Sequence, residues 1–79
     1  RGSDRRDASE PLRQSPSPLR ARETDVLRAA ATGAEIEEIA DRLALSTGTV
    51  RNYLTACIAK LDARNRVDAI RIAMELGLI

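Results

Sequence analysis

The sequence predicts an all-α fold, a four-helix bundle, on three observations. Aromatic residues are nearly absent, with one Tyr and no Phe or Trp among 79 residues, so a core must come from Leu, Ile, Val and Ala. The aromatics that favour strands are missing. After Pro18, apolar residues recur at spacings of three and four instead of alternating. Finally, Gly33 and Gly77 read as helix stops and Ser46 and Asn65 as helix caps, and together they divide this stretch into four segments. A chain of this length builds one core and sits near the lower limit of unaided stability.

Residues 1–18 carry three Pro with Ser and mixed charge, and Ala8 and Leu12 are their sole apolar side chains. Such a segment cannot offset the entropy of ordering, so residues 1–18 are expected to be a flexible linker and residues 19–79 the domain. Arg1-Gly2-Ser3 resembles the remnant of an expression tag and is expected to play no part in the fold. The first helix is expected over about Ala21 to Thr32, with Val26, Leu27 and Ala30 on one face and Gly33 as its stop. The second covers about Ile36 to Leu43, where Ile36, Ile39, Ala40 and Leu43 form one buried stripe. Ser46 caps the third, which runs to about Leu61, and Asn65 caps the fourth, which ends before Gly77.

Composition removes several function classes. The single Cys57 excludes an internal disulfide, and without His the usual zinc ligand sets cannot be assembled. No cofactor motif is present. No apolar run approaches the ~18 residues of a membrane span, so a soluble protein in the reducing cytoplasm is expected. The net charge of +1 says little about partners, but its distribution says more. From Glu23 to Asp41 six acids face one base, Arg28, whereas from Arg42 to Leu61 there are three bases and no acid. One face repels polyanions and another tolerates them.

Between the second and third helices remain Ala44, Leu45 and Ser46, and so short a connection forces a sharp crossing. The pair from Ile36 to Leu54 thus reads as a helix-turn-helix. Small Ala40 permits close approach, while Ile39, Leu43, Leu45 and Val50 lock the angle. Ala44 stands in the turn where many such motifs use Gly. Projected at 100° per residue, the third helix places Val50, Tyr53, Leu54, Cys57, Ile58 and Leu61 on one apolar face. The other face holds Gly48, Thr49, Arg51, Asn52, Thr55, Ala56, Ala59 and Lys60, and is small and nearly uncharged. Such a face fits a groove, and Arg and Asn carry the paired groups that match guanine and adenine edges. Small residues are also good helix formers, and the projection alone leaves that plainer reading open.

From Pro18 to Ile79 the residues resemble the LuxR-type (NarL/FixJ) helix-turn-helix domain of bacterial response regulators and quorum sensors. The matching pieces are Leu19, Arg22-Glu23, Val26-Leu27, Gly33, Glu38-Ile39-Ala40, Leu45-Ser46, Thr49-Val50-Arg51-Asn52, Lys60-Leu61, and Asn65-Arg66 with Ala69. The resemblance implies the C-terminal effector domain of a two-component response regulator, binding promoter DNA through the major groove. It implies that Arg51, Asn52 and Thr55 face bases and that Thr49, Tyr53 and Lys60 lie near phosphates; Thr47 and Arg64 complete the expected phosphate set. It also implies an N-terminal receiver or small-ligand sensor outside this chain, tethered by the Pro/Ser stretch. Arg20 stands where Thr often caps the first helix, which leaves that end open to fraying while Glu23 keeps its place. Ile36 and Glu37 replace residues that are commonly polar or basic, Tyr53 a frequent His, and Asp62 a frequent Gly.

Single residues keep rival readings. A core role for the Tyr53 ring fits as well as a phosphate contact, and the two are compatible. Cys57, at the middle of the apolar face, reads as a buried thiol. Glu35, Glu37, Glu38 and Asp41 read as a solvated face near a helix N-terminus, not a metal cluster. Arg64 and Arg66 either meet phosphates or hold the start of the fourth helix. No nucleophile–base pair or phosphate-binding Gly loop appears, so no enzyme is expected. In the fourth helix, Val67, Ala69, Ile70, Ile72, Ala73, Met74 and Leu76 fill an arc of roughly 220°. Ala69, Ala73 and Leu76 are expected to pack on the core, leaving Val67, Ile70 and Met74, with Arg71 beside them, as a homodimer seam on DNA. The alternative is that Leu78 and Ile79 fold back over that edge. Two other functions remain open at this stage: a sigma-factor region 4-like domain acting with RNA polymerase, and a helical protein-interaction module.

Overall fold

The chain begins its first helix with no side-chain cap from Arg20, yet the start is tied down. In the computed structural model, which describes residues 17–79, Ser17 Oγ accepts from the Leu19 amide at 3.1 Å and Glu23 Oε1 accepts from the Arg20 amide at 2.8 Å. These bonds counter the fraying that an uncapped Arg20 threatens. Apart from Ser17 and Pro18, the expected linker lies outside the described residues.

Helix α1 spans Ala21–Ala31 and buries Val26, Leu27 and Ala30. It ends at Gly33, whose φ of +91° is a conformation that glycine adopts without Cβ strain. Helix α2, Ile36–Leu43, buries Ile39 and Ala40 and half-buries Ile36 and Leu43, so the expected stripe faces the core. Helix α3, Thr47–Lys60, is capped by Ser46, whose Oγ accepts from the Thr49 amide at 3.1 Å. Helix α4, Arg66–Glu75, is capped by Asn65, whose Oδ1 accepts from the Asp68 amide at 2.9 Å.

Helix α3 packs against each of the other three, and α1 also meets α2 and α4. Leu27, Ile39, Val26, Val50 and Cys57 are the largest fully buried side chains. The four aliphatic ones each contribute roughly 1.5–3 kcal/mol by leaving water, which is how a core without aromatics holds four short helices. Two turns use left-handed backbone at residues other than glycine. Ala44 (φ 57°) lets the Leu45 amide reach Ala40 O at 2.9 Å, and Asp62 (φ 53°) lets the Ala63 amide reach Ile58 O at 2.9 Å.

One packing expectation is corrected. Leu76 is 62% exposed instead of lying at the centre of the α4 core face. The helix stops at Glu75, Gly77 turns the chain with φ +73°, and the Leu78 amide bonds Ala73 O at 2.8 Å. Leu78 and Ile79 therefore return to the core in place of Leu76. They leave Val67 and Met74 exposed.

Candidate nucleic-acid interface

The cap at Ser46 fixes the phase of α3, and the phase decides what faces solvent. Val50, Leu54 and Cys57 point inward, so Arg51, Asn52 and Thr55 are exposed together on the opposite side of the first half of the helix. Positions 51 and 55 are one turn apart and 52 lies beside them, so the three present one surface. Among the described residues no acid pairs with Arg51. Gly48 and Ala59 are exposed and Ala56 half-buried, so the helix surface beside these side chains is low and smooth. This is the shape that lets an α-helix enter a major groove.

The expected phosphate residues fall into different surroundings. Thr47 and Thr49 are half-buried in the first turn of α3, where amide groups and the helix dipole favour an anion. Thr49 Oγ1 lies 2.9 Å from Ser46 Oγ, which gives both hydroxyls a fixed direction. Tyr53 is half-buried and packs against the core, in keeping with a structural ring whose edge reaches the surface. Arg64 has its side chain 85% exposed, with Nε 3.7 Å from Asp68 Oδ2 in a loose surface pair, while its amide donates to the same oxygen at 3.0 Å. Lys60 is different: its Nζ lies 2.7 Å and 2.9 Å from the two carboxylate oxygens of Glu23.

That ion pair is a feature sequence reasoning missed. Glu23 is 4% exposed. Burial alone pushes its carboxyl pKa up, but the Lys60 ammonium and the Arg20 amide outweigh burial and hold it below the usual value. A signal was present, because position 23 belongs to the same spacing as Val26, Leu27 and Ala30. An acid at the head of an apolar stripe needs a partner. Beside it, Cys57 Sγ donates to Glu23 O at 3.6 Å, and burial, with the Glu23 charge, pushes the thiol up to about 11. It is therefore neutral near pH 7 and a poor nucleophile.

On α4, Asp68 is buried and accepts from the Arg64 amide and from Arg71, whose nitrogens approach Oδ1 at 2.7 and 3.2 Å. The Arg64 amide first, and then the Arg71 guanidinium, hold its carboxyl below the usual range. Arg71 also meets Glu75 at 2.9 Å, so its charge is balanced along its own helix. The expected seam residues divide: Val67 and Met74 are 75% and 61% exposed, whereas Ile70 is half-buried against the core. The acids Glu35, Glu37, Glu38 and Asp41 are exposed, Glu38 pairs with Arg42 at 3.0 Å, and no metal-binding cluster occurs among the described residues. No described helix is long and apolar enough to cross a membrane.

Residues 17–73 match the family model described as GerE, bacterial regulatory proteins of the luxR family. The chain is 54% identical over 66 residues to the response regulator RamR of Streptomyces coelicolor, covering 84% of this chain and 33% of that protein. Among solved structures, transcription factor GerE superposes with a TM-score of 0.76 at 30% identity, covering 80% of this chain and 94% of that one. The response regulator ChrA of a heme-sensing two-component system gives 0.75 at 30% identity, covering 87% of this chain and 34% of that one. The chain thus spans about a third of the length of RamR and of other curated relatives it matches.

Proposed function

Since this chain belongs to the LuxR family of bacterial regulatory proteins, a family of DNA-binding transcription regulators and not of enzymes, we propose that it is the effector domain of a two-component response regulator. In this reading α3 enters the major groove of promoter DNA. Arg51, Asn52 and Thr55 read base edges, and Thr47, Thr49, Tyr53 and Arg64 set the register by meeting phosphates. The observation that carries the reading is the joint exposure of Arg51, Asn52 and Thr55 on the smooth face of α3, directly opposite its buried face. Lys60 stands apart from this set because its ammonium is taken up by Glu23.

The response-regulator assignment rests on the relatives. RamR and ChrA are both response regulators, and this chain accounts for about a third of each. An N-terminal receiver domain then supplies the signal, the whole protein acts in the cytoplasm where its promoter lies, and two copies meet on DNA through Val67, Met74 and the neighbouring Ile70 and Arg71. No cofactor or metal enters this scheme.

Selection of bound sites from random duplex DNA tests it. The chain should enrich a defined motif, and Arg51→Ala should weaken binding to that motif by roughly 1–3 kcal/mol while relaxing preference at one base pair. Equal weakening on every sequence would remove Arg51 from base reading.

A further inference from the structure

We infer that Glu23 and Lys60 are a positioning pair: Lys60 serves DNA reading by fixing the angle of α3 against α1, and not by meeting a phosphate. This rests on α3 being the helix that reads DNA. Lys60 is the last residue of α3, and Glu23 lies in the first turn of α1. Both carboxylate oxygens are on Nζ, at 2.7 and 2.9 Å, and Oε1 is also bonded to the Arg20 amide at 2.8 Å. One turn earlier on α3, Cys57 Sγ reaches the Glu23 carbonyl at 3.6 Å. Two links therefore join the end of α3 to one residue of α1, which is itself tied to the helix start.

Two physical arguments separate positioning from phosphate contact. Glu23 is 4% exposed, and a buried carboxylate that loses its cation is left with an uncompensated charge. Lys60 cannot abandon Glu23 for a phosphate without that penalty, and while it stays, two of its three N–H groups and most of its charge are engaged by the carboxylate, so it adds little to counterion release. The second argument is leverage. Arg51 lies nine residues before Lys60, roughly 13 Å along the helix, so a tilt of about 5° at the Lys60 end moves it by about 1 Å. Hydrogen bonds to base edges tolerate a few tenths of an ångström. Loosening the clamp thus costs base reading first and leaves phosphate attraction intact.

The test uses the full chain, a duplex carrying the motif it selects from random DNA, and a random-sequence duplex of the same length. Binding is measured over a range of salt, at a temperature where each variant keeps native helix content. Lys60→Met and Glu23→Gln should each weaken binding to the motif roughly tenfold, about one base contact's worth; binding to random duplex and the salt slope should be unchanged in Lys60→Met and should not fall in Glu23→Gln, which frees the ammonium. Because the two act through one link, the double variant should be no worse than either single one. Lys60→Arg, which retains the charge, should restore discrimination. A loss on both duplexes with the slope reduced by about one would make Lys60 a phosphate contact and overturn the inference. So would a fall in melting temperature with both affinities intact, or a Lys60→Arg protein that folds and fails to discriminate. Absence of motif selection by the unsubstituted chain would instead overturn the functional reading beneath it.

Discussion

Ala44 holds φ 57° and ψ 45°, a backbone conformation in which its Cβ crowds the following carbonyl. Glycine removes that crowding at the cost of a more flexible unfolded chain, and the difference favours glycine. Ala44→Gly should therefore stabilise the domain by about 0.5–1 kcal/mol, raising the melting temperature by several degrees in a domain this small. Asp62→Gly, at φ 53°, should gain less, because Asp tolerates this region better than Ala. An unchanged or lower melting temperature for Ala44→Gly would mean that the turn is not strained. The sequence displayed both residues as standing where Gly is common, Ala44 in helix-turn-helix turns and Asp62 in the family's pattern, but not which bonds their turns close. Glu23 was legible as a helix-start acid at the head of an apolar stripe, but its partner was not, since the cation lies 37 residues away in sequence. Its carboxyl and that of Asp68 are both held below their ordinary values. Their contribution to stability is thus complete above the unfolded-state range, about pH 4–4.5, and is lost as pH falls through the lower folded-state values. Urea unfolding should give a midpoint that drops below about pH 4.5, with a shallower acid limb in Glu23→Gln. An identical acid limb in that variant would remove Glu23 from the account.

At the scale of the helices, caps located the ends better than periodicity did. Ser46 and Asn65 each bond the amide three residues on, and α3 and α4 begin immediately after them. Periodicity alone extended the core face of α4 to Leu76, because an apolar residue at the correct spacing looks alike inside a helix and just past its end. Gly77 decides the matter by turning Leu78 and Ile79 inward. The cap on α4 also organises the connection before it, since Asp68, whose amide Asn65 accepts, takes the Arg64 amide in return. Asn65→Ala should accordingly cost about 1 kcal/mol, near the middle of the range for such caps. Denaturant unfolding measures this directly. A loss below about 0.3 kcal/mol would show that Asp68 holds the start of α4 without help from Asn65.

For the molecule as a whole, the apolar edge of α4 is the surface on which the proposed pairing depends. The chain has one small core, and it covers Ala69 and Ala73 fully while leaving Val67 and Met74 75% and 61% exposed. The sequence placed that edge from the width of the apolar arc, but it could not separate Ile70, which packs partly on the home core, from its neighbours. The distinction changes the experiment: Ile70→Glu would strain the fold and the seam together, whereas Met74→Glu places a charge where solvent already reaches. An edge this small holds free domains together weakly, so pairing should appear on DNA, where two half-sites about one helical turn apart bring the copies into contact. Two-fold pairing requires the same patch on both copies, and so an inverted-repeat site. Met74→Glu should then abolish about 1–3 kcal/mol of coupling between half-sites, measured as the difference between binding to a two-site and a one-site duplex. Helix content and single half-site affinity should stay near those of the unsubstituted chain. If single-site binding fell by the same factor, α4 would be acting through the groove-facing helix and not through a second copy, and the seam would have to be sought on another face.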